Sequence, residues 1–224
     1  MSHVAKEAAG LRAAELIKSG MIVGLGSGST AECFIASLAE LCKKGLRIQA
    51  VPSSRASADL AKSKGIEVID INSAPRIDIT VDGADEIDPQ KRMIKGGGGA
   101  HVREKILASA SDEMIVIVDH SKLVPTLGKA KLPVEVLFFG SPATRAKIEG
   151  LGHKSRWRLN DDETLFITEN GNLLLDIHFQ SPPLAPESVH ESICQIPGVV
   201  DTGFFFNLAG RVIVGYPDGK TQLR

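Results

Sequence analysis

The sequence is poor in cysteine, has no excess of either charge and contains no long apolar run, and each absence excludes a class of protein. Cys33, Cys42 and Cys194 lie far apart without a C-x-x-C pair, so neither a disulfide framework nor a zinc site is predicted. The formal net charge is −1 without any block of Lys or Arg, so nucleic acid is not an expected partner. No apolar run approaches the roughly 20 residues that cross a bilayer, so no membrane segment is expected.

The remaining composition is typical of a chain with a well-formed core. Hydrophobic residues make up 43% and charged residues 24% of the 224 positions, enough for one large domain carrying a smaller one. Residues 1–20 have the pattern of an amphipathic helix, because charges interrupt the apolar stretch that a signal peptide would need. We therefore expect a cytoplasmic protein. The six histidines show no ligand spacing among themselves, so no metal is expected.

Short β-branched segments alternate with helical segments in the first half of the chain. Strands are predicted at 21–23, 48–51, 67–71, 77–81 and 114–118, and helices at 30–44, 54–64 and 101–111. Strands that alternate with helices at this spacing form a mostly parallel sheet with helices on both faces. The sequence therefore predicts a doubly wound α/β fold.

The pattern changes after residue 128, where strands become more frequent. Strands are predicted at 131–139, 156–159, 165–168 and 173–179, and helices at 141–151 and 186–196. The turn at 169–172 between the last two strands is a strong hairpin signal. We expect a smaller α+β domain at 129–202. A final strand at 211–216 is expected to return to the first domain, which then comprises 1–128 and 203–224.

A glycine-rich loop, GLGSGST at 24–30, follows the first predicted strand and precedes a long helix. Glycine lets the backbone approach a ligand, while N–H groups and the helix dipole attract a phosphate. A Walker A loop needs Lys where Gly28 stands, and a dinucleotide loop needs Gly where Ser29 stands, so neither motif fits. A phosphate site is favoured. A capping box of Ser29 with Glu32 is the alternative, and both can hold together.

An acidic loop, DGADEID at 82–88, follows the strand predicted at 77–81. Ligands of an open α/β sheet bind beyond the carboxyl ends of the strands, where Asp82 and Asp85 fall. Carboxylates at this place can bind sugar hydroxyls, hold a metal or transfer protons. A solvated acidic turn is an equally good interpretation.

The third loop, KGGGGA at 95–100, leads into the helix predicted at 101–111. Four consecutive glycines lose much conformational entropy on folding, so we expect a geometric demand such as close approach to a ligand. Glu104 falls near the start of the helix, where an exposed acid favoured by the dipole is the commoner interpretation. Lys95 could equally be a surface charge, and His101 is expected to be peripheral.

In this order, the loops resemble the A-type ribose-5-phosphate isomerase family. The resemblance rests on VGLGSGST, VDGADEID, MIKGGGGA followed by REK, VDHSK, LPVEV, TENGN, IPGVV and GYPDG, and it covers nearly the whole chain. It implies a Rossmann-like domain with a smaller α+β domain, no cofactor, and a homodimer or homotetramer. Four positions differ from the residues that are common in this family, and none of them removes a group that the isomerisation needs: Ser27, Gly99, His101 and Val102.

The resemblance also implies a role for each matching position. Glu104 matches the proton acceptor of the family, and Asp82, Asp85 and Lys95 match positions expected to hold the reacting oxygens. The substrate-binding positions are matched by Ser27, Gly28, Ser29, Thr30, Gly83, Ala84, Gly96, Gly97, Gly98 and Lys122.

The implied function is the interconversion of ribose 5-phosphate and ribulose 5-phosphate in the non-oxidative pentose phosphate pathway. The reaction would pass through a cis-enediol(ate), with Glu104 as general base. A small sugar phosphate is therefore the expected partner. Two alternatives stay open, an amino-sugar-phosphate deaminase and a non-catalytic sugar-phosphate sensor domain.

Overall fold

The computed structural model describes residues 3–74 and 76–224, which fall into two compact units. The first unit comprises the chain up to Ala84 together with Arg103–Leu123 and Asn207–Arg224. The second comprises Asp85–Val102 and Val124–Phe206. The chain therefore changes unit within or beside the second and third predicted loops.

Six helices and thirteen strands are present in the described residues. The helices are α1 (His3–Ala14), α2 (Ser29–Lys43), α3 (Arg55–Ser63), α4 (His101–Ser109), α5 (Ser141–Gly150) and α6 (Pro186–Cys194). The strands are β1 (Ile22–Leu25), β2 (Gln49–Pro52), β3 (Ile77–Asp82), β4 (Glu86–Ile87), β5 (Met93–Ile94), β6 (Ser111–Asp119), β7 (Leu132–Val136), β8 (Ser155–Trp157), β9 (Leu173–Ile177), β10 (Val199–Thr202), β11 (Phe204–Phe205), β12 (Ala209–Gly215) and β13 (Thr221–Leu223).

The first unit is built on a six-stranded sheet with the order β13-β12-β6-β3-β1-β2. All neighbouring pairs from β12 to β2 are parallel, and β13 pairs antiparallel with β12. The strands are aliphatic and mostly buried, as parallel strands covered by other elements should be. The predicted parallel-dominated α/β sheet is confirmed. So is the return of the last long strand, because Ile213 of β12 lies opposite Ile117 of β6.

The order of the parallel strands creates a topological switch point between β1 and β3. The chain runs from β1 outward to β2 and then returns to β3 on the other side of β1. Ligands of open α/β sheets bind beyond the carboxyl ends of the strands at such a point. β1 ends at Leu25 and β3 ends at Asp82, so the first two predicted loops begin there.

Helix α1 packs closely on α2. A side chain on Gly10 of α1 would lie 2.7 Å from the backbone nitrogen of Phe34, so only glycine permits this approach. Phe34, Ile35 and Leu38 of α2 recur at helical spacing and are fully buried in the core of the unit. The approach brings the first turns of α1 towards the start of α2.

The second unit contains two antiparallel sheets, of order β10-β7-β9-β8 and β11-β5-β4. Its core is formed by inward residues of β7 and β9 with one residue each from α5 and α6. These buried residues include Leu132, Val134, Val136, Leu173, Leu175, Ile177, Ile148 and Ile193.

The structure departs from the sequence predictions at three places. Residues 85–102, 124–128 and 203–206 belong to the second unit, not to the first domain, and β5 of the first of these segments pairs with both β4 and β11. The strand expected at 67–71 is reduced to a bridge between Val68 and Ala50, and a 3₁₀ turn starts at Ile71. The strand expected at 165–168 is likewise reduced to isolated bridges. Within the described residues, no helix combines the length and apolarity needed to span a membrane.

Candidate active site

The first loop lies directly against Asp82 at the end of β3. The Gly26 backbone N–H donates to the Val81 carbonyl at 2.9 Å, and the Ser27 N–H donates to Asp82 Oδ1 at 3.2 Å. A Cβ on Gly26 would lie 2.0 Å from that same oxygen. The close approach, and not a turn conformation, is therefore what requires glycine at position 26.

The hydroxyl groups of the first loop have different environments. Ser27 Oγ lies 2.8 Å from Ser53 Oγ and 2.9 Å from Ser54 Oγ, within a cluster of serines that follows β2. Helix α2 begins at Ser29, and its N-cap is Gly28 with φ 87° and no side-chain cap. The capping-box alternative is therefore wrong, because Ser29 is already inside the helix and Gly28 takes the cap position.

A lysine that belongs to none of the three loops reaches the first of them. Lys6 Nζ of α1 donates to Ser29 Oγ at 2.7 Å. Lys122 lies in the 3₁₀ turn that follows β6. Both lysines act on Asp119: burial tends to raise the pKa of its carboxyl, but hydrogen bonds from Ser121 and the charges of Lys122 and Lys6 lower it overall. The first unit therefore has two cations, Lys6 and Lys122, whose charges act on Asp119, and Lys6 is the one that reaches the start of α2.

The second loop crosses from one unit to the other, so that Asp82 belongs to the first unit and Asp85 to the second. Asp82 is fully buried, and its Oδ1 also accepts the Gly83 N–H at 2.7 Å. A Cβ on Gly83 would lie 4.0 Å from Thr30 Cβ, so the first two loops meet within the first unit. Ala84 is the last residue of this unit before the chain crosses.

Glu86 and Asp88 serve the architecture of the second unit. The Glu86 carboxylate is buried and accepts the Gly128 and Ala130 N–H groups at 2.7 and 2.5 Å. Asp88 closes a turn by accepting the Arg92 N–H at 2.9 Å and its Nε–H at 2.6 Å. The acidic loop is thus not a solvated turn, because buried acids in it hold backbone groups.

Asp85 is joined to the third loop. Asp85 Oδ2 accepts the Gly97 N–H at 2.7 Å, and a Cβ on Gly97 would lie 2.8 Å from Asp85 Oδ1. Gly96 has φ 98°, and its missing Cβ leaves room for His101. The geometric demand expected for consecutive glycines is therefore present at these two positions. Gly98, in contrast, has open space around the position of a Cβ.

Lys95 and Glu104 are both buried. Lys95 is 3% exposed, its N–H donates to the Gly203 carbonyl at 2.8 Å, and its Nζ lies 5.4 Å from the centre of the Phe205 ring. Glu104, in the first turn of α4, is 4% exposed. The interpretations as a surface charge and as an exposed helix residue are therefore both wrong. Buried charged side chains at loop ends are common at functional sites.

A buried arginine holds the third loop in place. Arg158 Nη1 donates to the carbonyls of Gly96 and Gly97 at 2.9 and 3.0 Å, while its Nε donates to Asp176 at 3.0 Å. Lys131 donates to the same carboxylate at 2.6 Å. Burial tends to raise the pKa of Asp176, but hydrogen bonds from Arg158 and Lys131 lower it overall. No local motif marks Arg158, so only the fold reveals it.

We expect Arg158→Lys to lower kcat by about one to two orders of magnitude, because a shift of about 1 Å in a catalytic group can cost roughly 10²-fold. Lysine keeps the charge, but it lacks the planar set of N–H donors with which the guanidinium group binds a carboxylate and two carbonyls at once. Steady-state kinetics would measure the loss. Arg12→Lys, in an exposed pair with Glu15, is the matched control and should be neutral. Equal kcat for the two variants would contradict the anchoring role.

Three comparisons with known proteins bear on this chain. The family model of ribose 5-phosphate isomerase A (phosphoriboisomerase A) matches residues 49–219. The ribose-5-phosphate isomerase A of Protochlamydia amoebophila is 47% identical over 219 residues, covering 98% of this chain and 94% of that protein. The ribose-5-phosphate isomerase A of Parvibaculum lavamentivorans is 48% identical over 220 residues, covering 96% of this chain and 95% of that protein.

A solved structure of D-ribose-5-phosphate isomerase in complex with phospho-erythronic acid superposes with a TM-score of 0.94 at 34% identity, covering 100% of both chains. The parallel sheet, its switch-point loops and these matches first define a class: the protein is an α/β enzyme that acts as an isomerase. The family follows from the extent of the matches. This chain belongs to the ribose 5-phosphate isomerase A family.

Proposed function

We propose that the protein interconverts D-ribose 5-phosphate and D-ribulose 5-phosphate in the non-oxidative branch of the pentose phosphate pathway. The match of the family model over residues 49–219 is the observation that carries this proposal. A related structure in complex with phospho-erythronic acid supports a phosphorylated substrate. A cytoplasmic location, a homodimer or homotetramer, and independence from any cofactor remain predictions.

The phosphate is proposed to bind at the start of α2 in the first unit. The N–H groups and hydroxyls of residues 27–30 meet the positive end of the helix dipole, which favours an anion. Lys6 Nζ, 2.7 Å from Ser29 Oγ, supplies charge beside these donors, and Lys122 is proposed as a second positive charge on the phosphate. Because the phosphate is remote from the reacting carbons, its binding energy can position them.

Glu104 is proposed to carry the proton. In the direction of the ketose it removes the proton from C2 of the open-chain aldose, and the same proton is delivered to C1 of the cis-enediol(ate). The hydroxyl proton on O2 is transferred to O1 as the new C2 carbonyl forms, so that O1, the former aldehyde oxygen, becomes a hydroxyl. A buried carboxylate suits this work, because bulk water is kept away from the proton in transit.

Asp82, Asp85 and Lys95 are proposed to bind O1 and O2 of the sugar. The buried ammonium of Lys95 can stabilise negative charge that develops on the enediolate oxygen. We propose that the carbon chain of the sugar lies along backbone groups of the second and third loops, namely those of Gly83, Ala84, Gly96, Gly97 and Gly98. The proposed chemistry needs no external oxidant or reductant, since C2 is oxidised and C1 is reduced within the same substrate.

The direct test is an assay of ribulose 5-phosphate formation from ribose 5-phosphate in the presence of EDTA. We expect turnover that the chelator does not abolish. A parallel incubation with glucosamine 6-phosphate should release no ammonia. Ammonia release without pentose isomerisation would instead favour the deaminase, and binding of sugar phosphate without any turnover would favour a sensor domain.

We expect Lys6→Met to raise KM for ribose 5-phosphate about tenfold or more, because a hydrogen bond to a charged group is worth about 1.5–3 kcal/mol. Steady-state kinetics at two ionic strengths would measure the change. Lys18→Met, at an exposed position just after α1, is the control and should leave KM unchanged. An unchanged KM in Lys6→Met would remove this residue from the phosphate site.

A further inference from the structure

The second unit contains a side-chain cluster that the proposed reaction does not use. Across residues 3–74 and 76–224, one group of three His, Cys or acidic side chains has ligand atoms within 4.8 Å of one another: His190, Cys194 and Asp201. His190 and Cys194 are four residues apart on α6 and therefore lie on one helix face. Asp201 belongs to β10, so the cluster joins a helix to a strand.

The distances fit a tetrahedral ion of the size of zinc. Cys194 Sγ lies 4.0 Å from His190 Nε2 and 3.9 Å from Asp201 Oδ1. Zinc bonds of about 2.3 Å to sulfur and about 2.0–2.2 Å to nitrogen or oxygen place such ligand atoms about 3.6 Å apart. Side-chain adjustments of a few tenths of an ångström would bring the sulfur to both partners, while the His190 and Asp201 atoms lie within 4.8 Å of one another.

Thr202 orients two of the three side chains. Its Oγ1 lies 2.8 Å from His190 Nδ1, and its N–H donates to Asp201 Oδ1 at 2.7 Å. Thr202 is itself fully buried. A histidine that binds a metal through one ring nitrogen typically donates the N–H of the other to a fixed acceptor. With Nδ1–H donating to Thr202, Nε2 is the ring nitrogen left to bind a metal, and a small rotation of the ring would turn it towards Cys194 Sγ, which lies 3.5 Å from Nδ1 and 4.0 Å from Nε2.

We propose that His190 Nε2, Cys194 Sγ and an Asp201 carboxylate oxygen bind a zinc ion, with water as the fourth ligand. A mixed nitrogen, sulfur and oxygen set suits a borderline-soft ion, whereas magnesium and calcium prefer oxygen alone. Cys194 is exposed, so an ion can enter from solvent. On binding, the thiol loses its proton to the solvent and the sulfur binds as thiolate.

Such an ion would connect the last residue of α6 to β10 across the segment between them. Because these side chains are held together only in the folded chain, zinc would stabilise the folded state in proportion to its free concentration. The sequence predicts no zinc site, because its cysteines form no C-x-x-C pair and its histidines show no ligand spacing among themselves. A His and a Cys four residues apart become informative only when a third ligand is brought from another element.

The test is a titration of the EDTA-treated and desalted full chain with Co²⁺, followed by displacement with Zn²⁺. We expect one cobalt per chain, a sulfur-to-cobalt charge-transfer absorption, and its loss on addition of zinc. Cys194→Ser should abolish that absorption. Thr202→Val keeps all three ligands but removes the hydroxyl partner of His190, and should weaken cobalt binding by about 10- to 100-fold.

The other two cysteines provide the matched control. Burial raises the pKa of both the Cys33 and the Cys42 thiols, which disfavours the thiolate that a metal needs. The double variant Cys33→Ser, Cys42→Ser should therefore keep the absorption. Zinc should also raise the Tm of the wild-type chain but not that of Cys194→Ser.

Three results would overturn the proposal. The first is a charge-transfer absorption that survives in Cys194→Ser, and the second is its loss in the Cys33→Ser, Cys42→Ser variant. The third is a wild-type chain that binds cobalt no more tightly than Cys194→Ser does. Thermal unfolding of each variant without metal verifies that the comparison is made between folded proteins.

Discussion

Glu104→Gln is expected to lower kcat by about 10²- to 10⁴-fold, the contribution that a positioned general base typically makes. Glutamine has nearly the shape of glutamate and keeps hydrogen-bonding capacity, but its neutral amide does not accept the C2 proton. KM should change little, because the phosphate donors at the start of α2 are untouched. The coupled assay of ribulose 5-phosphate formation measures both parameters.

Glu187→Gln is the matched control for this variant. Glu187 also lies in the first turn of a helix, α6, but its side chain is half-exposed and pairs with Arg92. An exposed pair of this kind contributes little, so kcat should stay near that of the unmodified protein. Near-normal turnover in Glu104→Gln would show that another group transfers the proton.

Gly26→Ala should both destabilise the protein, by about 1–3 kcal/mol, and reduce kcat. The added methyl group would lie 2.0 Å from Asp82 Oδ1 and 2.1 Å from its Cγ, far inside contact distance. Asp82 cannot yield without losing the hydrogen bonds from the Ser27 and Gly83 N–H groups. Denaturant unfolding would give the loss of stability, and steady-state kinetics the loss of turnover.

A double-mutant cycle identifies the cause of that loss. Asp82→Gly removes the Oδ1, Cγ and Cβ atoms that the new methyl group meets, so Gly26→Ala should cost much less stability in that background. Gly150→Ala is the matched control, because no atom lies within 4 Å of its added Cβ and the residue ends α5 with helical geometry. The glycine-to-alanine change there should be neutral or mildly stabilising. Equal penalties for Gly26→Ala with and without Asp82 would refute the steric explanation.

The positions of the three loops could be predicted because the signals for them are local. Alternating apolar strands and amphipathic helices fix where β1 and β3 end, and a glycine-rich or acidic segment at each end indicates a ligand. For the same reason, the start of α2 was predicted to within a residue. The predicted strand at 67–71 failed because an apolar run does not specify whether a partner strand lies alongside it.

Other residues of the candidate site carry no local signal. Lys6 is separated from Ser29 by 23 residues, and they meet only because Gly10 lets α1 approach α2. Arg158 reaches the carbonyls of the third loop across 62 and 61 residues of chain. Such contacts depend on packing between distant segments, which neither periodicity nor motif spacing encodes.

The sequence by itself determined the parallel-dominated α/β sheet, the three loops and the family, because periodicity, glycine placement and motif order are properties of short segments. Only the tertiary structure decided what each charged side chain does. In the folded chain Lys95 and Glu104 are buried, and Glu86 and Asp88 accept hydrogen bonds from backbone N–H groups. Residues 85–102 belong to the second unit. The physical reason is that burial and hydrogen-bond partners are set by strand pairing and packing between residues remote in the chain.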